Sequence, residues 1–371
     1  MIKFLFASCK DANMRYASGL NVLDNFFLLE KNAKKRIFLD NRNFGILKKS
    51  QQVALNPQLI NSLEKEVKKN KDKTLRINKL AKAILNKYCH KQEKIFVDFN
   101  FAFGMGDYLQ KKGFKIEFKQ ELYPKRQFKT KSELKKIQQT LKINFKAFEL
   151  IKKILADSKI KGQKIVYKNQ ILTCEKLKLE VEKLFLRFDL RNQEGIIIAT
   201  GKQTAVPHHQ GQGIVKPNQP IICDIFPKSQ KTGYFADITR TFVKGKPSGR
   251  ILKMQKAVLE AQKQAIKLIK PGVKAGKIYL KCEEILSKHG FETKDDQGFI
   301  HSAGHGVGLD IHEKPILAKN SKDILAPGQV ITLEPGLYYK NIGGVRVEDM
   351  LVVKNPPCRS LRQREDDDRD P

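Results

Sequence analysis

Cysteine is sparse and badly placed for bridging: the six thiols (Cys9, Cys89, Cys174, Cys223, Cys282 and Cys358) show no CxxC spacing. That argues against a disulfide scaffold or a thiolate zinc site, and reduced thiols are expected. Long apolar runs are also missing. Nothing approaches the roughly 18 consecutive apolar residues of a spanning helix. The opening MIKFLFASCK holds too short a run for a secretory signal, so a cytoplasmic protein without membrane contact is expected. Acidic residues number 39 against 72 lysines and arginines, a formal charge of +33. Such a balance raises nucleic acid as a partner. The lysines, however, are spread over almost every segment with no arginine-rich or aromatic-interleaved tract, which argues against one. Histidines number only seven, and three of them, His301, His305 and His312, fall within HSAGHGVGLDIHEKP, residues 301–315.

A chain of 371 residues is long for one hydrophobic core and suits two domains. In the first part KRIFLD and KIFVDFN read as strands, INSLEKEVKKN and INKLAKAILNKYC as helices, which predicts a small α/β domain over residues 1–125. The pattern then turns helical from near Ser132, with Glu133 in the first turn. Across 126–355, EGIIIATG, QPIICDIF, GYFADITRTFV, QVITLEPGLYY and GGVRVEDMLVV read as strands, separated by helices from about Gly249 to Ile269 and Gly276 to Lys288. This second domain is expected to be α+β. Residues 356–371 switch from lysine to arginine and aspartate and are expected to be a disordered tail.

The chemistry-bearing residues lie in the second domain. Asp224 ends the apolar run PIICD, and Asp237 follows 13 residues later beyond the turn-formers Pro227, Ser229 and Gly233. The two can face each other across a hairpin, with Thr239 and Thr241 orienting Asp237 from the same strand face. A second candidate strand pair presents Glu334 in ITLEPG, and Arg346 with Glu348 in GGVRVEDM. Carboxylates inside valine-rich strands need a partner when buried, and a cation would supply one. His305, between Gly304 and Gly306, is the natural nitrogen ligand, its glycines allowing close backbone approach to the ions. His312 suits a substrate oxyanion or amide, His208 in AVPHHQGQG is placed to reach the same cleft, and one histidine is left to spare. Four carboxylates and one histidine form an oxygen-rich set that favours two Mn²⁺, Fe²⁺ or Co²⁺ ions. Such a pair lowers the pKa of a bound water to about 7, and hydrolysis is the expected reaction.

Taken together, AVPHH, ICDIFP, GYFADITRTF, FIHSAGHGVGLDIHEKP, ITLEPGLY and GGVRVEDMLVV resemble the pita-bread metallopeptidases, which include methionine aminopeptidases, Xaa-Pro aminopeptidases and Xaa-Pro dipeptidases. The resemblance covers residues 125–355 and implies a creatinase-like N-terminal α/β domain followed by a pita-bread catalytic domain. It implies Asp224, Asp237, His305, Glu334 and Glu348 as metal ligands, with Asp237 and Glu348 bridging two divalent ions. Mn²⁺ is expected, with Co²⁺, Fe²⁺ or Zn²⁺ as alternatives. By the same similarity Glu334 shuttles protons, while His208, His312 and Arg346 hold the peptide and stabilise the tetrahedral intermediate. Arg346 before VED and the N-terminal DANMRYASGL resemble the proline-directed branch. The implied activity is release of the residue preceding proline from a peptide, by a homodimer. Alternatives are an Xaa-Pro dipeptidase and a non-catalytic peptide- or nucleic-acid-binding member of the fold. The intact ligand set argues against the last of these and against metal-free amidino hydrolysis.

Overall fold

The computed structural model describes residues 1–47, 56–60, 63, 67, 75–354 and 359–361. It divides into two compact units, Met1–Lys125 and Arg126–Pro371.

The first unit is built on β1 (Ile2–Ala7), β2 (Phe26–Lys31), β3 (Lys34–Leu39), β4 (Asn56–Leu59), β5 (Lys94–Val97) and β6 (Lys115–Phe118), in the order β4-β3-β2-β1-β5-β6. The centre is antiparallel and both flanks are parallel. Its central strands are apolar on both sides because both faces are covered. Phe4, Phe27, Leu29 and Phe38 enter one core with Ile84 and Leu85, while Leu5, Leu28, Ile37 and Leu39 enter another with Met14. Among the described residues, helices α1 (Ala12–Ser18), α2 (Asn41–Leu47), α3 (Arg76–Tyr88) and α4 (Phe103–Lys111) belong to this α/β unit. Asp11 caps α1 by accepting from Met14 N at 2.8 Å. The helix expected at INSLEKEVKKN lies largely outside the described residues.

The second unit opens with α5 (Lys131–Asp157), where the N-cap Thr130 and Glu133 form a reciprocal capping box. The helix therefore starts one residue before Ser132. There follow β7 (Lys159–Lys161), β8 (Lys164–Tyr167), β9 (Gln170–Ile171), α6 (Cys174–Leu186), β10 (Leu190–Arg191), β11 (Ile197–Thr200), β12 (Ile221–Ile225), β13 (Lys228–Ser229) and β14 (Ile238–Phe242). Two helices come next, α7 (Gly249–Leu268) and α8 (Ala275–Lys288). The last strands are β15 (His305–Gly306), β16 (Glu313–Ile316), β17 (Val330–Leu333), β18 (Gly336–Tyr339), β19 (Gly343–Arg346), β20 (Asp349–Val352) and β21 (Arg359–Ser360). The sheets that matter for the site are β11-β12-β14, β16-β15-β17-β20-β21 and the pair β18-β19. The small side chains of α7, Ala257, Ala261 and Ala265, pack with Ile278 and Cys282 of α8 in one core with Leu333, Leu337, Val345 and Leu351.

Three expectations change. QVITLEPGLYY and GGVRVEDMLVV are not single strands: each breaks, at Glu334-Pro335 and Val347-Glu348, and passes from one sheet to another. Pro335 lacks the N–H that a continuing ladder requires. Asp237 precedes β14 rather than lying within it. In the expected tail, Arg359–Ser360 pairs with β20, whereas Cys358 and residues 362–371 lie outside the described residues. Among the described residues no helix is long and apolar enough to cross a membrane.

Candidate metal centre

The strand breaks give the site its composition. Antiparallel pairing sets Asp224 on β12 opposite Thr239 on β14, and Glu348, at the β19-β20 break, donates its N–H to Thr239 O at 3.0 Å. Glu334, at the β17-β18 break, donates its N–H to Ala303 O at 2.9 Å, two residues before His305. Four carboxylates from three sheets thus converge with His305 on one cavity of about 510 Å³, also lined by His208, His301, His312 and Arg346. All eight residues proposed from the sequence for metal or substrate line this cavity.

The glycines beside His305 have a different role from the one expected. A Cβ on Gly304 would stand 2.1 Å from Thr332 O, and one on Gly306 2.3 Å from Lys314 O. They let the β15 backbone close against its neighbours β17 and β16. The ions need not be invoked.

His305 Nδ1 lies 3.1 Å from Gly306 O, and a carbonyl only accepts, so Nδ1 carries the proton and Nε2 presents a lone pair. That lone pair faces Asp237 Oδ2 and Glu334 Oε1, each at 3.6 Å. Burial, then the neighbouring His312, depress the His305 pKa to about 4, so an imidazolium does not satisfy these carboxylates at neutral pH. Both contacts exceed hydrogen-bonding distance. Asp224 Oδ1, Asp237 Oδ1 and Glu348 Oε1 are buried with no hydrogen-bond partner. One ligand atom each from Asp237, His305 and Glu348 falls within 4.8 Å of the others. Acceptors facing acceptors, with orphaned oxygens in the same cavity, are the arrangement a divalent cation satisfies.

The carboxylates answer to their surroundings in the same sense. Burial pushes Glu334 up to about 8, against the opposing pull of the Arg346 guanidinium. Burial raises Asp237 and Glu348 well above the ordinary range as well, reinforced by Glu348 for the first and by Glu334 for the second.

Two residues escaped the sequence reading. Tyr338 OH accepts from Arg346 Nη1 at 2.6 Å and lies 2.8 Å from His301 Nε2; His301 Nδ1 is 2.7 Å from Ser302 O, so it carries that ring's proton. His301, held to be the spare histidine, is thereby tied to Arg346. Burial lowers its pKa to about 3 and keeps it neutral. The threonines also serve otherwise than expected: Thr239 Oγ1 donates to Glu348 Oε2 at 2.8 Å rather than to Asp237, and Thr241 Oγ1 donates to Arg346 O at 2.9 Å. A sequence signal for Tyr338 exists in retrospect. Gly336 pairs with Arg346 across β18-β19, and a Cβ there would meet Tyr338 OH at 2.5 Å, so the phenol occupies the space the glycine leaves.

A cavity lined by carboxylates and histidines, carried on antiparallel sheets with paired helices in the same core, defines a pita-bread protein of the metallopeptidase type. Residues 135–355 match metallopeptidase family M24, and the chain belongs to that family. It is similar to a putative Xaa-Pro aminopeptidase of Mycoplasma genitalium, 40% identical over 167 residues, which cover 44% of this chain and 46% of the relative. It is also similar to an Xaa-Pro dipeptidase of Pyrococcus furiosus, 36% identical over 170 residues, 46% of this chain and 47% of the relative. The chain thus spans about half the length of the curated relatives it matches. In fold it resembles the solved structure of the prolidase from Pyrococcus furiosus, with a TM-score of 0.77 at 24% identity over 98% of this chain and 96% of that one.

Proposed function

We propose that the chain is a dinuclear metal-dependent exopeptidase that hydrolyses the Xaa-Pro bond at peptide N-termini, an Xaa-Pro aminopeptidase acting as a homodimer. The observation that carries the proposal is the gathering of orphaned oxygens on Asp224, Asp237 and Glu348 in one cavity with the His305 Nε2 lone pair, beside His208 and His312. Asp224, Asp237, His305, Glu334 and Glu348 would hold two divalent ions, Mn²⁺ first among the candidates. Bound there, the ions supply Lewis acidity towards a carbonyl and a lowered pKa for water.

Each protein group has its own task in this reading. Glu334, at the β17-β18 break and lining the cavity, is proposed to take a proton and return it to the leaving proline nitrogen. His312, whose pKa is lowered by partial desolvation and then by His208, stays a neutral donor at the cavity mouth. Arg346, expected to hold the peptide, is proposed instead to act through the site. Its nitrogens reach Asp224 Oδ2 at 2.7 Å, Tyr338 OH at 2.6 Å and Thr239 Oγ1 at 3.2 Å. A tertiary Xaa-Pro amide lacks the N–H many proteases bind, so selection falls to the shape of the wall, where Ile196, Phe226 and Ile311 supply apolar surface.

A second reading, Xaa-Pro dipeptidase on the same site, is supported by the relative of that name. The test compares Ala-Pro, Ala-Pro-Ala and a Met-Ala-Ser control, using chelated protein reloaded with Mn²⁺. Metal-dependent release of alanine from the tripeptide supports the proposal, and preference for Ala-Pro selects the dipeptidase. Cleavage of Met-Ala-Ser alone, or of nothing, overturns both.

A further inference from the structure

His312 is solvent-accessible, yet its ring sits edge-on to buried His305 with centroids 4.3 Å apart. The next residue explains how an exposed ring keeps such a position. Glu313 begins β16, and strand alternation sends its side chain away from His312 into the interior, where it is 3% exposed. There its carboxylate is fully used. Oε1 accepts from Leu309 N at 3.0 Å and Asp310 N at 3.2 Å, closing the chain just before His312 from the inside. Oε2 accepts from Lys129 Nζ at 2.7 Å, a lysine side chain only 1% exposed, and Arg126 Nε lies 3.2 Å from Oε1. Arg126 also donates through Nη2 to Asp310 Oδ2 at 2.5 Å, gripping the same turn from its outer side.

The cations are themselves anchored. Lys129 N donates to Gly328 O at 2.8 Å, and Phe128 bridges Gln329, just before β17. Gly308 completes the fit: a Cβ there would stand 2.6 Å from Glu313 Oε1. Burying a lysine-glutamate pair costs desolvation that its attraction often only offsets, so stability alone is a weak reason for it. What this pair supplies is geometry.

We infer that Glu313, held by Lys129 and Arg126, is a positioning residue that fixes the turn from Gly308 to Glu313 and, through it, the His312 imidazole at the cavity mouth. The inference rests on the proposed role of His312 towards the peptide.

The experiment is a double-mutant cycle on the Mn²⁺-loaded protein with Ala-Pro-Ala, combining Glu313→Gln with His312→Ala. A second readout is the nuclear Overhauser contact between the His305 and His312 rings in the metal-free protein. Glu313→Gln keeps an acceptor for the two backbone N–H groups but loses the charge. It should lower kcat roughly ten- to a hundredfold, the range a misplaced group costs, with KM little changed. In the His312→Ala background it should lower kcat no further, and alone it should weaken the ring-ring contact. Arg126→Met, which leaves the Lys129-Glu313 pair intact, should show the same pattern more weakly and serves if Glu313→Gln does not fold. Additive losses with an undisturbed ring contact would mean that Glu313 only stabilises the fold, and would overturn the inference. If His312→Ala itself costs nothing, or the wild-type protein cleaves no peptide, the functional reading fails instead. The ring contact then still decides whether Glu313 fixes the imidazole.

Discussion

Arg346 Nη2 donates to Asp224 Oδ2 at 2.7 Å, between side chains only 3% and 13% exposed, while Asp224 Oδ1 stays without a partner. The guanidinium thus fixes one carboxylate oxygen and leaves its twin for the cavity. Through Nε it also reaches Thr239, whose hydroxyl donates to Glu348. Lysine carries the charge but not the fork, so Arg346→Lys can hold only part of this set. We expect Mn²⁺ affinity to fall about 10- to 100-fold, the usual effect of removing a partner behind a ligand, measured by calorimetric titration. Tyr338→Phe, which frees one arm only, should fall less. Unchanged affinity in both would refute a positioning role for Arg346.

Thr239 tests the same logic at Glu348. Its hydroxyl is the only hydrogen-bond donor among the described residues given to that carboxylate, on Oε2, and Oε1 has none. Thr239→Val keeps the shape and removes the donor. It should cost about 1–3 kcal/mol, the penalty of stranding a buried polar group. Thr239→Ser should recover most of it. Thermal unfolding with and without Mn²⁺ reads both, and a serine variant as impaired as the valine one would show that packing of the methyl group matters instead.

How much of this was legible beforehand depends on how far each relationship reaches along the chain. Asp224 and Asp237 were readable because a hairpin brings neighbours in sequence together, and β12 does pair with β14. Glu334 and Glu348 were found for a partly wrong reason. Alternation placed them on continuous strands, yet both sit at breaks; Pro335 announced the first, and nothing local announces the second. The tie from His301 through Tyr338 to Arg346 joins residues 37 and 8 positions apart, and no periodicity links them. Glu313 was likewise silent, because its partners Lys129 and Arg126 lie nearly two hundred residues upstream. The α/β unit was the easier part, since lysine-rich amphipathic helices between apolar strands carry their own signal.

The raised carboxylate pKa values make the metal-free protein sensitive to pH. Glu334 has an ordinary value of 4.5 and is pushed up to about 8 by burial. A carboxyl whose folded value exceeds its unfolded one binds more protons when folded. Its contribution is therefore fully present below about pH 4.5 and is lost as pH rises through about 8. Metal-free wild type should lose melting temperature between about pH 4.5 and 8 relative to Glu334→Gln, which has no proton to lose. The gap should close as pH falls below 8. Parallel curves for the two proteins would contradict the assignment of a protonated Glu334.

Gly304 and Gly306 separate two explanations of the GHG segment. If the glycines serve ion approach, alanine should harm metal binding and leave the metal-free fold intact. The geometry says otherwise, since Gly304 has φ of 155° and a Cβ there would overlap Thr332 O at 2.1 Å, while one on Gly306 would overlap Lys314 O at 2.3 Å. Both obstacles are backbone atoms of adjoining strands or their extensions, which cannot swing aside as a side chain would. Gly304→Ala and Gly306→Ala should each destabilise the metal-free protein by about 3 kcal/mol or more, as forced overpacking does. Gly249→Ala is the control: it starts α7, and nothing stands within 4 Å of its Cβ position, so stability should hold or rise slightly. Denaturant unfolding of the three metal-free variants decides the matter. Gly304→Ala and Gly306→Ala proteins as stable as wild type, yet poor in Mn²⁺ binding, would restore the ion-approach explanation.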